Sequence, residues 1–126
     1  MENSLNTYST ASLAYLGDCV IELCVRQRLV KKGLSSSAKL NKAALEYVRA
    51  SRQAEAMKNI ISLLSEEETA VFHRGRNMGH SSTPKSATVA EYRAATGMEA
   101  LFGYLHLADR KERIEELFDA AYGQIQ

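Results

Sequence analysis

Two acids in this chain stand where a helix holds a charge least easily. Asp18 lies in Leu13-Ala14-Tyr15-Leu16-Gly17-Asp18-Cys19-Val20-Ile21-Glu22-Leu23, a run that is apolar on nearly every side. A helix of that kind is normally buried, and an ionised carboxylate in it is costly unless it is paired or holds a cation. Glu22 and Arg26 follow at four-residue steps, so a polar stripe, Asp18-Glu22-Arg26, runs along an otherwise apolar rod. Two arrangements fit that stripe. Either Glu22 pairs with Arg26 and Asp18 bonds to a neighbouring helix, or Asp18, with Glu22, faces a cleft and binds a divalent metal. Hard cations such as Mg²⁺ prefer carboxylate oxygens and keep several waters. Glu99 is the second acid, flanked by Met98, Ala100, Leu101 and Phe102 on a segment that also contains Gly97 and Gly103. Each glycine inside a helix costs about 1 kcal/mol relative to alanine, a cost accepted where another backbone must come close. Tyr92, Thr96, Glu99 and Gly103 share one face of that segment. If the two helices cross at the glycines, Asp18 and Glu99 meet. Facing carboxylates repel unless one is protonated or a cation lies between them.

The elements that must position these acids read as helices throughout. There is one proline and no alternating tract long enough for a strand. The first main helix is expected from Thr10 to Lys32, stopped by Gly33. Ser35-Ser36-Ser37 offers caps for a helix with Leu40, Ala44, Tyr47 and Val48. Ser51 restarts the chain for a helix with Ala54, Met57, Ile60, Ile61 and Leu64. Ser65 and Glu68 form a capping box for a helix with Val71 and Phe72 that fails near Gly75. Residues Gly75 to Ser86, with Pro84, form the longest expected loop, and a loop this long is usually functional or disordered. Thr88 and Glu91 form a second capping box, opening a helix to Leu107, and Asp109 and Glu112 start a last helix with Ile114, Leu117, Phe118 and Ala121. The expected fold is all-α, a single-domain bundle of about six or seven helices spanning residues 1–126.

Composition narrows the classes. The chain has 126 residues and is 45% hydrophobic, enough for a core. No run of about 18 apolar residues could span a bilayer. Met1-Glu2-Asn3-Ser4 lacks the basic flank and apolar run of a signal peptide. Cys19 and Cys24, five apart on one helix, are expected to be buried and unpaired, which suits a reducing cytoplasm. The net charge is only +1, but it is segregated. Leu23 to Leu45 holds Arg26, Arg28, Lys31, Lys32, Lys39 and Lys42 with no acid, and Ala70 to Ala90 holds Arg74, Arg76 and Lys85 with no acid. Such clustering makes a positive face on a near-neutral protein, unless the charges are ordinary solvated helix faces. His73 and His80 have no cysteine or carboxylate at zinc-ligand spacing, so no zinc site is expected.

At the residues around both acids the sequence resembles the ribonuclease III family. Ala11-Ser12-Leu13-Ala14-Tyr15-Leu16-Gly17-Asp18 lies over the last eight positions of the family's signature E-x-x-L-E-F-L-G-D, and Thr96-Gly97-Met98-Glu99-Ala100-Leu101-Phe102-Gly103 over its second, D-x-x-E-A-L-x-G. Arg74-Gly75-Arg76-Asn77, Thr83-Pro84-Lys85 and Tyr92-Arg93 resemble the mini-ribonuclease III subgroup, a bare catalytic domain without a double-stranded-RNA-binding module. The resemblance covers about residues 10 to 120. It implies a homodimeric, Mg²⁺-dependent endoribonuclease of double-stranded RNA, acting in maturation of ribosomal (23S precursor) RNA and leaving 5′-phosphates. Asp18 and Glu99 take the positions of two of the family's four metal-binding carboxylates, with Glu22 a further ligand through water. Ala14 and Thr96 stand where the other two would be. The resemblance further implies RNA contacts from Arg74, Arg76, Asn77 and Lys85, and a dimer contact at Tyr15 with Leu16 beside it. The loss of two carboxylates leaves a competing class open: a ribonuclease III-like domain that grips structured RNA without cutting it.

Overall fold

The helix that carries Glu99 runs through the middle of the molecule. The computed structural model describes residues 7–78, 87–123 and 125, and among them every regular element is helical. In chain order these are α1 (Thr10–Lys31), α2 (Ser37–Val48), α3 (Ala50–Lys58), a 3₁₀ turn at Ile61–Leu63, α4 (Glu66–Arg76), α5 (Val89–Leu107) and α6 (Lys111–Tyr122). Helices α1, α3, α4 and α6 all pack on α5, and α2 lies against α1 and α3. Between Ala95 and Leu105 every residue of α5 is buried except Glu99. The all-α reading therefore holds.

Most helix starts follow the caps expected of them. The side chains of Ser36, Ser65 and Thr88 accept from backbone N–H groups three residues on, and Glu68 and Glu91 complete their capping boxes. Gly33, at φ 98°, ends α1 as expected. Four boundaries differ. Helix α3 opens at Ala50 with Arg49 as an N-cap that makes no side-chain bond, not at Ser51, and it stops at Lys58. Helix α4 does not fail at Gly75 but continues to Arg76, so Arg74 and Arg76 belong to its last turn and not to a loop. Asp109 ends α5 and does not start α6. It takes a left-handed conformation, φ 59°, while its N–H bonds the His106 carbonyl and the next N–H, of Arg110, reaches back to the Leu105 carbonyl. This is the usual hydrogen-bonded helix stop, with aspartate in the place glycine commonly takes. Lys85, Pro84 and His80 lie outside the described residues.

The two acid-bearing helices cross at glycines. A methyl group at Gly17 of α1 would overlap the carbonyl oxygen of Glu99, and one at Gly103 of α5 would overlap the carbonyl oxygen of Leu13. The same device sets α4 on α5, where a methyl at Gly75 would lie 2.8 Å from the Cα of Gly97. Glycine is needed because main chain meets main chain. It also explains why α4 runs on through Gly75, since that residue is buried against α5.

Helix α1 is less buried than its composition suggests. Leu13, Gly17, Ile21, Cys24, Val25 and Leu29 face the core, but Tyr15 is 85% exposed, Leu23 61% and Val30 59%. Of the two cysteines Cys24 is buried and Cys19 is exposed, which corrects the expectation that both are inside. A turn-by-turn apolar run does not reveal that one side of the rod has nothing packed on it.

The last helix is fastened at its edges. Glu68, 2% exposed, accepts from Arg113 Nε at 2.8 Å and Nη2 at 2.7 Å, while the Arg113 Nη2 also donates to the Leu63 carbonyl at 2.9 Å. That pairing holds the Glu68 carboxyl below the usual carboxylate range. Arg28 bridges from α1 to Glu115 at 2.6 Å and Asp119 at 3.0 Å. Three further clasps join α6 and the residues after it to the rest: Lys32 donates to the Ile125 carbonyl, Asn59 to the Ala121 carbonyl at 2.8 Å, and the Tyr122 hydroxyl to the Tyr47 carbonyl at 3.0 Å.

Replacing Gly17 by alanine should destabilise the fold by about 3 kcal/mol, the upper end of overpacking costs, because both overlapping groups are backbone. Gly33→Ala, at a position with open space around it but a positive φ, should cost only about 1 kcal/mol. Denaturant midpoints of the two variants check the contrast. Equal losses would mean that the α1–α5 crossing is not as tight as drawn.

Candidate active site

The glycine crossing places Asp18 beside Glu99. Asp18 follows Gly17, whose Cα rests against the main chain of Glu99 itself, so the backbone contact brings the two carboxyl groups together directly. Asp18 is exposed and Glu99 half-buried. Burial, then the charge of Asp18, then a hydrogen bond with it push the Glu99 carboxyl up to about 8 from its ordinary 4.5. Burial and the neighbouring acid thus favour the neutral form of Glu99.

The pair opens into a cleft of about 390 Å³ between α1, α3 and α5. Its walls are small where they come from Ala11, Ala14, Ala50 and Ala95, which leaves room for a bulky anion. Polar groups are contributed by Tyr15, Asp18, Gln53, Tyr92, Thr96 and Glu99, and Met78 closes the end next to α4. Ala14 and Thr96, at the positions where the family signatures carry acids, both line this cleft with Asp18 and Glu99. The Thr96 hydroxyl donates to the Tyr92 carbonyl at 3.0 Å. A larger cleft of about 570 Å³ lies between α3 and the start of α5. Its acids are engaged elsewhere, Glu55 with Arg52 at 3.4 Å and Glu91 in the Thr88 capping box, so it has no carboxylate pair to offer.

The other sequence candidates are separated from this centre in different ways. Glu22 accepts from Arg26 at 2.9 Å and is not among the residues lining the cleft. Arg74 is half-buried and donates to Thr10 Oγ1 at 3.1 Å and the Tyr8 carbonyl at 3.4 Å, which ties α4 to the start of α1. Arg76 and Asn77 are exposed, with the Arg76 guanidinium 5.9 Å from the centre of the Phe72 ring. Leu16 turns inward against the core, whereas Tyr15 projects outward and also borders the cleft. Gln53 was not legible as a site residue. It is a single amide in an alanine-rich helix, with no spacing that marks it.

The donor set fits a hard divalent cation. Among the described residues no three His, Cys, Asp or Glu side chains come together at a possible metal site, so the protein's share is the Asp18–Glu99 pair, and water and substrate would fill the other positions. The raised Glu99 carboxyl accords with that fit, since a cation beside it would offset both the burial and the charge of Asp18 that favour its neutral form.

Residues 11–110 match the family described as the ribonuclease III domain. The chain belongs to the ribonuclease III family, and it is an endoribonuclease. Over most of its length it is similar to proteins named Mini-ribonuclease 3. Identity is 45% over 115 residues with that of Symbiobacterium thermophilum, covering 91% of this chain and 88% of the relative. It is 36% with that of Streptococcus pneumoniae, covering 90% of each. The X-ray crystal structure of a Fusobacterium nucleatum protein matches with a TM-score of 0.83 at 34% identity, over 91% of this chain and 92% of that one.

The Glu99 carboxyl gives this site a pH signature. Its pKa is higher in the folded protein than in the unfolded chain, so its contribution to stability is present below about pH 4.5 and lost as pH rises toward 8. The slope from this one group is at most about 1.4 kcal/mol per pH unit. The melting temperature of cation-free protein should fall between pH 5 and 8 more steeply than that of Glu99→Gln. Added Mg²⁺ should raise it most at the alkaline end, because the ion displaces a proton. Identical pH profiles for the two proteins would show that Glu99 is not held protonated.

Proposed function

We propose that this chain cleaves double-stranded RNA in a Mg²⁺-dependent reaction, as a homodimer, in the maturation of ribosomal precursor RNA, and leaves 5′-phosphates. The observation that carries the reading is the meeting of Asp18 and Glu99 at an alanine-walled cleft, with the Glu99 carboxyl pushed up by burial and by the charge of Asp18. When bound there, a divalent ion supplies an activated water and stabilises charge on the phosphate. Asp18 and Glu99 would hold it. The alanines at 11, 14, 50 and 95 leave the space that a phosphate and its ribose need. Arg76 and Asn77, two residues and one residue before the cleft-lining Met78, would contact backbone phosphates of an A-form helix, which is recognised mainly by shape and backbone, and their exposure supports this. Lys85 extends the same basic segment in the sequence. Arg74 belongs to the packing of α1 instead. The dimer is favoured by the outer face of α1, where Tyr15 and Leu23 expose two large apolar side chains eight residues apart. No helix among the described residues is long and apolar enough to cross a membrane, and a cytoplasmic location accords with the free cysteines.

Asp18→Asn and Glu99→Gln should each abolish cleavage of a long RNA duplex, by at least about a hundredfold, while the fold is kept. Removing one of two repelling carboxylates should leave the cation-free melting temperature equal or higher. Duplex cleavage with and without Mg²⁺, and thermal melting of the same preparations, check this. A wild-type gel shift without cleavage would select the competing reading, a domain that grips duplex RNA without cutting it.

Tyr15→Glu should turn the dimer into a monomer with little loss of monomer stability, since the side chain is 85% exposed within one chain. Light scattering at micromolar concentration measures it. A wild-type protein that is already monomeric there would remove the dimer from the proposal.

A further inference from the structure

Three polar side chains are buried among the described residues: Gln53, Thr96 and Glu68. Two are accounted for. Glu68 is bonded to Ser65 and Arg113, and Thr96 to the Tyr92 carbonyl. Gln53, on α3 and 2% exposed, has no hydrogen-bond partner for its carboxamide among the described residues. An unpaired buried amide weakens a fold, and leucine would fill nearly the same volume without that penalty. Packing therefore does not explain a glutamine here. Its location does. Gln53 lines the cleft that holds Asp18 and Glu99, in the company of Ala14 and Thr96.

A cation held by only two carboxylates keeps most of its waters, and those waters are hydrogen-bond donors in need of acceptors. The cleft is short of acceptors, because Ala14 and Thr96 occupy the places where the family signatures carry acids. We infer that Gln53 is a positioning residue for the cation. Its carboxamide oxygen would accept from the hydration shell of an ion held by Asp18 and Glu99, and its N–H groups would be left for the phosphate oxygens of a substrate. A neutral amide does this without placing a third negative charge beside Asp18 and Glu99. The inference rests on the reading of Asp18 and Glu99 as the cation-holding pair.

The test uses Mn²⁺ as the probe, titrated into the full chain and followed by the paramagnetic resonance of the free ion, together with melting curves of the cation-free protein. Asp18→Asn should abolish binding. Gln53→Leu should weaken it about tenfold or more, as losses of outer-shell partners do, while the cation-free protein melts at the wild-type temperature or above it. Gln53→Glu should tighten binding and melt lower without the ion, with Mn²⁺ restoring the loss. If Gln53→Leu binds Mn²⁺ like wild type while Asp18→Asn does not, the inference is wrong and the carboxylate pair stands. If Asp18→Asn also binds like wild type, both fall. A Gln53→Leu protein that melts well below wild type makes the glutamine structural and overturns the inference. Should that variant fail to fold, Gln53→Glu decides alone: tighter binding supports the inference, and unchanged or weaker binding overturns it.

Discussion

The structure depends on one contact between main chains, Gly17 of α1 against the carbonyl of Glu99 on α5. Side chains usually keep helix axes 8–10 Å apart. Where both partners present bare backbone the helices come closer, and short side chains on adjacent residues then reach each other. Asp18 is the residue after the contact and Glu99 is part of it. The Asp18–Glu99 pair is thus set by the geometry of the core, and no loop lies between the glycine contact and the two carboxyl groups. The reciprocal contact of Gly103 with Leu13 fixes the crossing at a second point, so α1 can neither slide nor roll on α5 without a backbone clash.

The rest of the molecule keeps α5 in place. Gly75 seats α4 on Gly97 from the other side. Arg113 then fastens α6 to the start of α4 through Glu68, a carboxylate with both oxygens engaged. This buried pair gives its helix ends a defined position more than it gives net stability, because desolvation offsets much of the attraction. The contrast with the cleft is instructive. Both Glu68 and Glu99 are acids on helices packed in the core. Glu68 meets an arginine, which lowers its carboxyl, whereas Glu99 is raised by burial and by the acid it meets.

Much of this was legible in the residues. Ser65 with Glu68 and Thr88 with Glu91 announce two helix starts by chemistry that is local, and both formed as written. Gly97 and Gly103 stood out because a helix interior disfavours them. Their partners Gly75 and Gly17 did not: Gly75 looked like a helix stop and Gly17 like part of a signature, since periodicity cannot say which helices cross. Cys19 and the outer face of α1 were misjudged for a related reason. Apolar content measures what a helix can bury, and not what the fold brings against it. Arg74 was read as a loop cation because the end of α4 was placed too early. Gln53 carried no signal, as an unsatisfied amide is a property of its surroundings.

The clasps at the end of the chain have a different character. Lys32 and Asn59 each donate to a main-chain carbonyl, of Ile125 and Ala121. They recognise the path of the tail and not the identity of its residues. Substitutions that preserve the helix can accumulate on the outward side chains of α6 while its final turn stays docked. A change in length would instead offset the carbonyls from their donors. An insertion or deletion within the last turns of α6 would therefore break both clasps, whereas a change of residue type on its outward face would leave them intact.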